Sequence, residues 1–393
     1  MKKGYYIHFQ GRQSIGVSKK IDMQMEELGK FYEMQEIAVE TPVRSLAWRV
    51  LGLFPVASIT RDYKAALEQM DDPDFLYVRR TVADREYLHF WKQVKERYPN
   101  CRILIELFTY PYDKDDFGKW NAWPFYLKEL LYRPRLKKYV DRFVTYTDDK
   151  EIFGIPTIRS ANGINVDSVP QIAGAFQDGQ INMIGVAFMQ RHHGYERIIE
   201  GMREYYDGGQ TPELKIRLRL VGDGPEEPMY QELVEKYHLE EYVQFYPTMS
   251  GKELDELYDD SDLALVSFGM YKAGFYGKLG ALKSRECLAK GMPLITGCEI
   301  DVLPEDYPFA KVFPNDGSTV NMEEIAALYR RIRHIVADKK ELADRIREYA
   351  KEHVSMAAVM KPVVTYIEMP QRNGTGAEGE NAARNDGKTD GEG

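Results

Sequence analysis

Lys283 and Glu286 stand three residues apart in the stretch 277–297, GKLGALKSRECLAKGMPLITG. Leu282, Glu286 and Ala289 recur at the spacing of one helix face, which puts the Lys–Glu pair on one side of a helix. A glycine-broken loop around Gly280 opens that helix, and an apolar β-run from Pro293 to Thr296 follows it. A loop that opens a helix presents free backbone N–H groups, which suit an anion such as a phosphate. A cation for phosphates beside a carboxylate for sugar hydroxyls is the chemistry of a nucleotide-sugar site. The same residues also fit an ordinary loop–helix–strand unit with a solvated ion pair.

Two other stretches hold candidate ligand-binding residues. Residues 5–10 (YYIHFQ) read as a strand, and Gly11 and Gly16 flank the polar loop after it. Ile21, Met25 and Leu28 then continue as a helix face. A strand, a glycine loop and a helix form either the phosphate-facing unit of an α/β fold or a plain turn. No G-K-[ST] closes the loop, so it is not a Walker loop, and it is not GxGxxG either. Farther on, the strand 102–107 (RILIEL) runs into FTYPYDKDDFGKW. Loops at the carboxyl ends of parallel strands bind ligands, which makes Glu106, Thr109, Tyr110 and Tyr112 candidates for an acceptor side. Asp113 and Asp115 have D-x-D spacing, but spacing alone does not define a metal site, and they read as solvated acids. No metal and no cofactor is expected.

These residues need a framework, and the chain alternates strands with helices. Strands are expected at 31–38, 74–80 and 142–147, with a helix over 83–97. A second series follows, with strands at 181–188, 216–221, 243–249 and 263–268. The alternation argues for α/β architecture with two doubly wound, Rossmann-like domains. The expected division is 1–172 for an acceptor-side domain and 173–354 for a donor-side domain. A last helix, 355–369, interrupted at Pro362, is expected to pack back on the first. Residues 371–393 carry almost nothing apolar and read as a disordered tail. The segments 43–58 and 126–143 are basic and amphipathic. Arg133, Arg135, Lys137 and Lys138 of the latter fit either a contact with anionic lipid head groups or a solvated helix face.

The bulk numbers narrow the class. A net charge of −9 argues against nucleic-acid binding. The three cysteines form no CxxC, which argues against a zinc site or a disulfide framework. No apolar run approaches the ~18 residues that a membrane span needs. The N-terminus lacks the apolar core of a signal peptide, so a cytoplasmic location is expected, with peripheral contact to the membrane face left open.

Five stretches, in this order, resemble a known family. They are Gly16 to Ser18 closing the first glycine loop, the NGIN of 162–165, the VGDGP of 221–225, the segment Glu253 to Asp262, and the ECLAKGMP of 286–293. Their order resembles the GT-B glycosyltransferases of the family four, glycosyl transferases group 1, type. IELFTYPYDKDD, HHGYERIIEG and LKSRECLAKGMPLITG are similar to a bacterial subgroup that builds surface and exported polysaccharides. The family's E-x7-E pair places its second carboxylate on Glu286 but its first on Lys278. Its G-R-L…K-G pattern is also missing: Val186 follows Gly185, and His193 precedes Gly194.

The resemblance implies a GT-B fold and a retaining, metal-independent transfer of sugar. The donor would be a nucleoside diphosphate sugar carrying UDP or GDP, and the acceptor a glycan or polyprenyl-linked molecule. It implies Lys283 or Arg191 as the catalytic cations. Gly16, Val17, His193, Gly222, Lys278, Gly280, Leu282 and Glu286 would bind the donor, with Glu286 on the ribose hydroxyls. Lys278 and the absent G-R-L also leave room for a catalytically silent GT-B protein that binds glycan or stabilises a partner transferase. A nicotinamide-dependent oxidoreductase would want GxGxxG after the first strand and an acid about 20 residues on, which is absent.

Overall fold

The computed structural model describes residues 1–9, 15–39, 54, 61–113, 118, 122–207 and 212–370. Most of the basic segment 43–58, Gly11, Asp115 and the tail 371–393 lie outside the described residues.

The first sheet holds β1 (Lys3–His8), β2 (Glu33–Ala38), β3 (Phe75–Arg79), β4 (Arg102–Leu107), β5 (Arg142–Thr145), β6 (Glu151–Ile152) and β7 (Ile155–Arg159). Their order is β2-β1-β3-β4-β5-β7-β6, and only β6 runs antiparallel. The β6–β7 pair is not among the strands expected from the sequence, because two- and five-residue strands are too short to show a period of two. Helix α1 (Ile15–Gly29) covers one face of this sheet, while α2 (Tyr63–Glu68) and α3 (Arg85–Arg97) cover the other.

The second sheet holds β8 (Gln180–Val186), β9 (Lys215–Val221), β10 (Val243–Tyr246), β11 (Leu263–Leu265), β12 (Leu294–Thr296) and β13 (Ala310–Val312). Its pairs are all parallel, in the order β10-β9-β8-β11-β12-β13. Renumbered within the domain, this is 3-2-1-4-5-6, the dinucleotide-fold order, with its switch point between β8 and β11. Ile181, Met183, Leu218, Leu220, Leu263 and Ile295 are fully buried in one continuous core. β8, β11 and β12, covered on both faces, read as nearly unbroken apolar runs, whereas β9 alternates Ile216, Leu218 and Leu220 with Lys215, Arg217 and Arg219.

The chain crosses between the sheets twice, and the two crossings lie side by side. Ile164 N–H donates to the Val354 carbonyl (2.9 Å), and Met356 N–H donates back to the Ile164 carbonyl (3.0 Å). A Cβ on Gly163 would sit 2.5 Å from Val359 Cγ2. Asn162-Gly163 is therefore part of a crossing pressed against the returning chain. The final helix, Met356–Glu368, shares a core with α1: Met360 and Val363 are buried with Tyr6, Ile21 and Leu28. It runs through Pro362 without a break. Proline removes one helical hydrogen bond, but Pro362 and Ala358 both line an open interdomain groove, where water can satisfy the orphaned carbonyl.

The basic segment 126–143 is likewise not one helix. Helix α4 (Trp123–Tyr132) ends and a 3₁₀ segment, Arg133–Lys138, follows.

Candidate active site in the interdomain cleft

The carboxyl ends of β8 and β11, flanking the switch point, carry the loops 187–194 and 266–271. Ligands of open α/β sheets bind outside such a point. The two loops touch: Phe268 N–H donates to the His193 carbonyl (2.7 Å), and Gly269 N–H to the His192 carbonyl (3.1 Å). Gly194 has φ +64°, and a Cβ there would lie 2.5 Å from the Gly269 nitrogen. Only glycine permits both that backbone and that approach.

After α5 (Glu196–Asp207), α6 (Glu227–Lys236) and α7 (Lys252–Asp259), helix α8 (Leu282–Lys290) points its N-terminus at the same region. No side chain caps it. Unpaired first-turn N–H groups and the helix dipole favour an anion there. Lys283 folds inward from this end. Its Nζ lies 3.3 Å from the Tyr195 hydroxyl and 3.5 Å from the Val266 carbonyl, both at the long end of hydrogen-bond range. Burial lowers its pKa to about 8, against the pull of Cys287 and Glu286.

His193 packs beside it, its ring 5.7 Å from that of Tyr195. Burial, the Lys283 charge and His192 together hold the His193 pKa down at about 3, so the ring is neutral at pH 7. Its Nδ1 accepts from the Gln190 N–H at 3.0 Å, which leaves the proton on Nε2. His193 is thus an uncharged donor beside a cation.

Glu286 is on the open side of α8. Burial raises its pKa, while Lys19 of α1, Lys290 and Lys283 pull it down. The influence of Lys19 ties Glu286 to the opposite domain. Gly16 has open space where a Cβ would stand. Val17 follows it in the first turn of α1.

The other sequence candidates lie apart from this cluster. Lys278 is half-exposed and sits 4.0 Å from Glu299, also half-exposed. It lines a surface pocket of about 290 Å³ with Leu303, Pro304 and Arg331. Arg191 is exposed, and its backbone carbonyl packs against Gly269. Leu282 is 40% exposed on the first turn of α8. Gly222 has its N–H bonded to the Tyr246 carbonyl (3.0 Å), and a Cβ there would meet the Ala187 carbonyl at 2.0 Å. That glycine lets two loops approach and has no N–H left for a ligand.

The four acceptor-side candidates divide between faces of the first sheet. Glu106 points toward α1 and is fully buried. It meets Lys20 at 3.2 Å and Arg79 at 3.3 Å, and it accepts from the Tyr146 hydroxyl (2.6 Å) and from Gln24 (2.9 Å). Burial alone would raise its pKa, but Lys20 and Arg79 outweigh that and hold it at about 2. Tyr112 belongs to the opposite face, stacked on the Arg80 guanidinium at 3.5 Å, with Tyr110 beside it. Thr109, which precedes Tyr110 in the chain, is exposed. Asp113 bonds to Arg133 at 2.8 Å.

Lys20, Asn162, Arg285 and Asp301, none of them among the candidate site residues of the sequence, join the two domains. The NGIN motif and the run L-K-S-R-E contain two of them, but no periodicity distinguishes a residue that bridges domains.

Residues 173–353 match the family model described as Glycosyl transferases group 1. No curated protein matches the chain. Among solved structures, the lipopolysaccharide outer core galactosyltransferase WaaB in its apo form is 12% identical, over 93% of this chain and 99% of that one, with a TM-score of 0.60. A glycosyltransferase from Rickettsia africae is 11% identical over 93% and 97% of the two chains, with a TM-score of 0.58. A trehalose-6-phosphate synthase described as an enzyme of glycosyltransfer with retention is 14% identical over 92% and 98%, with a TM-score of 0.52. At these identities the likeness is one of fold, and that fold is GT-B.

Proposed function

From the premise that residues 173–353 form a glycosyl transferases group 1 domain, we propose that this protein transfers a sugar from a nucleoside diphosphate sugar to a glycan or lipid-linked acceptor, with retention. The observation that carries this reading is the uncapped N-terminus of α8, with Lys283 and the neutral His193 beside it at the switch point. The bond from the anomeric carbon to the diphosphate oxygen breaks, and the acceptor oxygen bonds to that carbon on the same face. The acceptor's proton passes to the departing phosphate oxygen. Negative charge grows on the diphosphate, and preorganised donors stabilise it most where water is excluded. Lys283, His193 Nε2 and the α8 N–H groups supply those donors. Glu286 accepts from the ribose hydroxyls, since an ionised carboxylate is acceptor-only. No step needs a metal.

A thermal-shift screen of nucleoside diphosphates and their sugars tests this, because selective binding raises apparent stability. UDP- or GDP-sugars are expected to raise the melting temperature of the parent. Glu286→Ala is expected to weaken the shift and raise the donor KM by about tenfold, the value of one charge-assisted contact, with kcat little changed. No shift with any nucleotide sugar would sink the reading. Lys278, a cation where the family pattern has a carboxylate, favours one rival: a silent GT-B protein that binds glycan. Nucleotide release from any of these sugars would exclude it.

We also propose that the first domain rests on an anionic membrane surface. Arg133 cannot contribute as the sequence reading expected, because it is buried against Asp113 and the Phe153 ring. Arg135, Lys137 and Lys138 are exposed, and Trp123, Leu130 and Leu131 of the preceding helix α4 are each more than two-fifths exposed. Bases beside apolar side chains suit the head-group boundary. Replacing the three bases by Gln is expected to abolish flotation with phosphatidylglycerol vesicles. The parent's binding should weaken between low and moderate salt. Salt-insensitive binding, or none, would end this idea.

A further inference from the structure

The segment that carries the chain from the first domain to the second holds one side chain bonded to both. Asn162 Oδ1 accepts from the Lys20 ammonium of α1 at 3.0 Å, and its Nδ2 donates to the Gly280 carbonyl at 2.8 Å. Its backbone carbonyl accepts from Arg285 Nε at 3.2 Å. Arg285 is fully buried in α8, and its other arm meets Asp301 at 2.6 Å. Asp301 in turn accepts, through its backbone carbonyl, from Arg159 of β7 at 3.2 Å. On its far side the loop is held by 299–301: Leu279 N–H donates to the Glu299 carbonyl (2.7 Å), and Asp301 N–H donates to the Leu279 carbonyl (3.3 Å). The Leu279–Gly280 turn that opens α8 is therefore gripped from both sides.

We infer that Asn162 is a positioning residue, whose amide fixes the anion-binding end of α8 against α1 when the two domains are closed. This rests on the sugar-transfer reading above. Domains of one chain move relative to each other unless something holds them. Opening this cleft pulls Lys20 and Gly280 apart, so Asn162 must release at least one of them. Closed, the amide sets the distance between Lys283 at the head of α8 and the first turn of α1. A misplacement of about 1 Å at a reacting centre can lower a rate by about a hundredfold. Asn162 bonds directly to both α1 and the start of α8. Arg285 and Asp301 have their side chains shut inside the fold, whereas Asn162 is only half-buried.

The test compares Asn162→Ala and Asn162→Asp with the parent. Alanine drops both bonds; aspartate keeps an acceptor for Lys20 but sets a carboxylate oxygen against the Gly280 carbonyl. Nucleotide release from UDP- and GDP-sugars gives kcat and KM, and amide hydrogen exchange reports the turn directly. In both variants kcat is expected to fall by about tenfold or more, with the donor KM changed by less than about threefold. Exchange over 279–284 should quicken while the melting temperature holds. Parental exchange over 279–284 would overturn the inference. So would a lowered melting temperature with kcat and KM worsening together, which marks a merely structural residue. If the parent releases nucleotide from no sugar, the transfer reading falls, and the exchange measurement still decides the clasp.

Discussion

Lys283→Met is expected to lower kcat by about 10²- to 10³-fold, the usual effect of removing one preorganised donor from a developing negative charge. The ammonium has only long contacts, with Tyr195 and the Val266 carbonyl, so no protein carboxylate neutralises it within ion-pair distance among the described residues. Its charge is therefore available to a diphosphate. The donor KM should rise less than kcat falls, because the charge on the diphosphate grows along the reaction. The pH profile gives an independent check. Burial lowers this group from its ordinary 10.5 to about 8, so it is a cation at pH 7 and loses its charge as pH rises through about 8. The parent's kcat/KM should fall along that limb. In the complex the bound anion favours the charged form, so the limb of kcat should lie at higher pH. Lys283→Arg keeps a cation at every pH tested and should erase the limb. Turnover by Lys283→Met within about threefold of the parent would remove Lys283 from the chemistry.

Glu106→Leu should destabilise the first domain by about 3–5 kcal/mol, because it leaves Lys20 and Arg79 buried without their shared counter-ion. Denaturant melts of the parent and variant measure this directly. The pH dependence follows from the same carboxylate. Its folded pKa is depressed to about 2 from the ordinary 4.5, so the stabilisation is fully present above about 4.5. It is lost as pH falls from there toward 2. The shift corresponds to roughly 3 kcal/mol. Glu106→Gln should flatten stability over that window. A Glu106→Gln variant as stable as the parent, but slow in transfer, would instead return Glu106 to the acceptor side as a chemical group.

Much of this protein could be read locally. In the second domain β8, β11 and β12 stand out because both faces are covered, so each is a nearly unbroken apolar run, and β9 stands out by alternating apolar with basic residues. The helix that bears Lys283 and Glu286, with the glycine loop before it, was legible too, since helix geometry is set by residues three and four apart. Short elements escaped: β6, β7 and β13 have too few residues to display a period. The break expected at Pro362 does not occur, because the cost of proline depends on whether water reaches the orphaned carbonyl, and that is a property of the surroundings.

Partnership across the chain was not legible at all. Glu106 and Tyr112 lie six residues apart in sequence, yet they face opposite sides of one sheet, because which neighbour covers each face is decided by the crossovers. Arg133 looks like Arg135 in the sequence, but the fold turns one toward Asp113 and leaves the other in solvent. By itself the sequence determined two parallel-sheet units, each with a glycine loop, and a helix bearing Lys283 and Glu286, because these follow from local periodicity and backbone freedom. The tertiary structure alone decided that Lys283 turns inward beside a neutral His193, that Glu106 is sealed by two cations, and that Asn162 joins Lys20 to Gly280. Those outcomes depend on contacts between residues far apart in the chain, from 27 positions for Arg79 and Glu106 to 142 for Lys20 and Asn162, which no local pattern encodes.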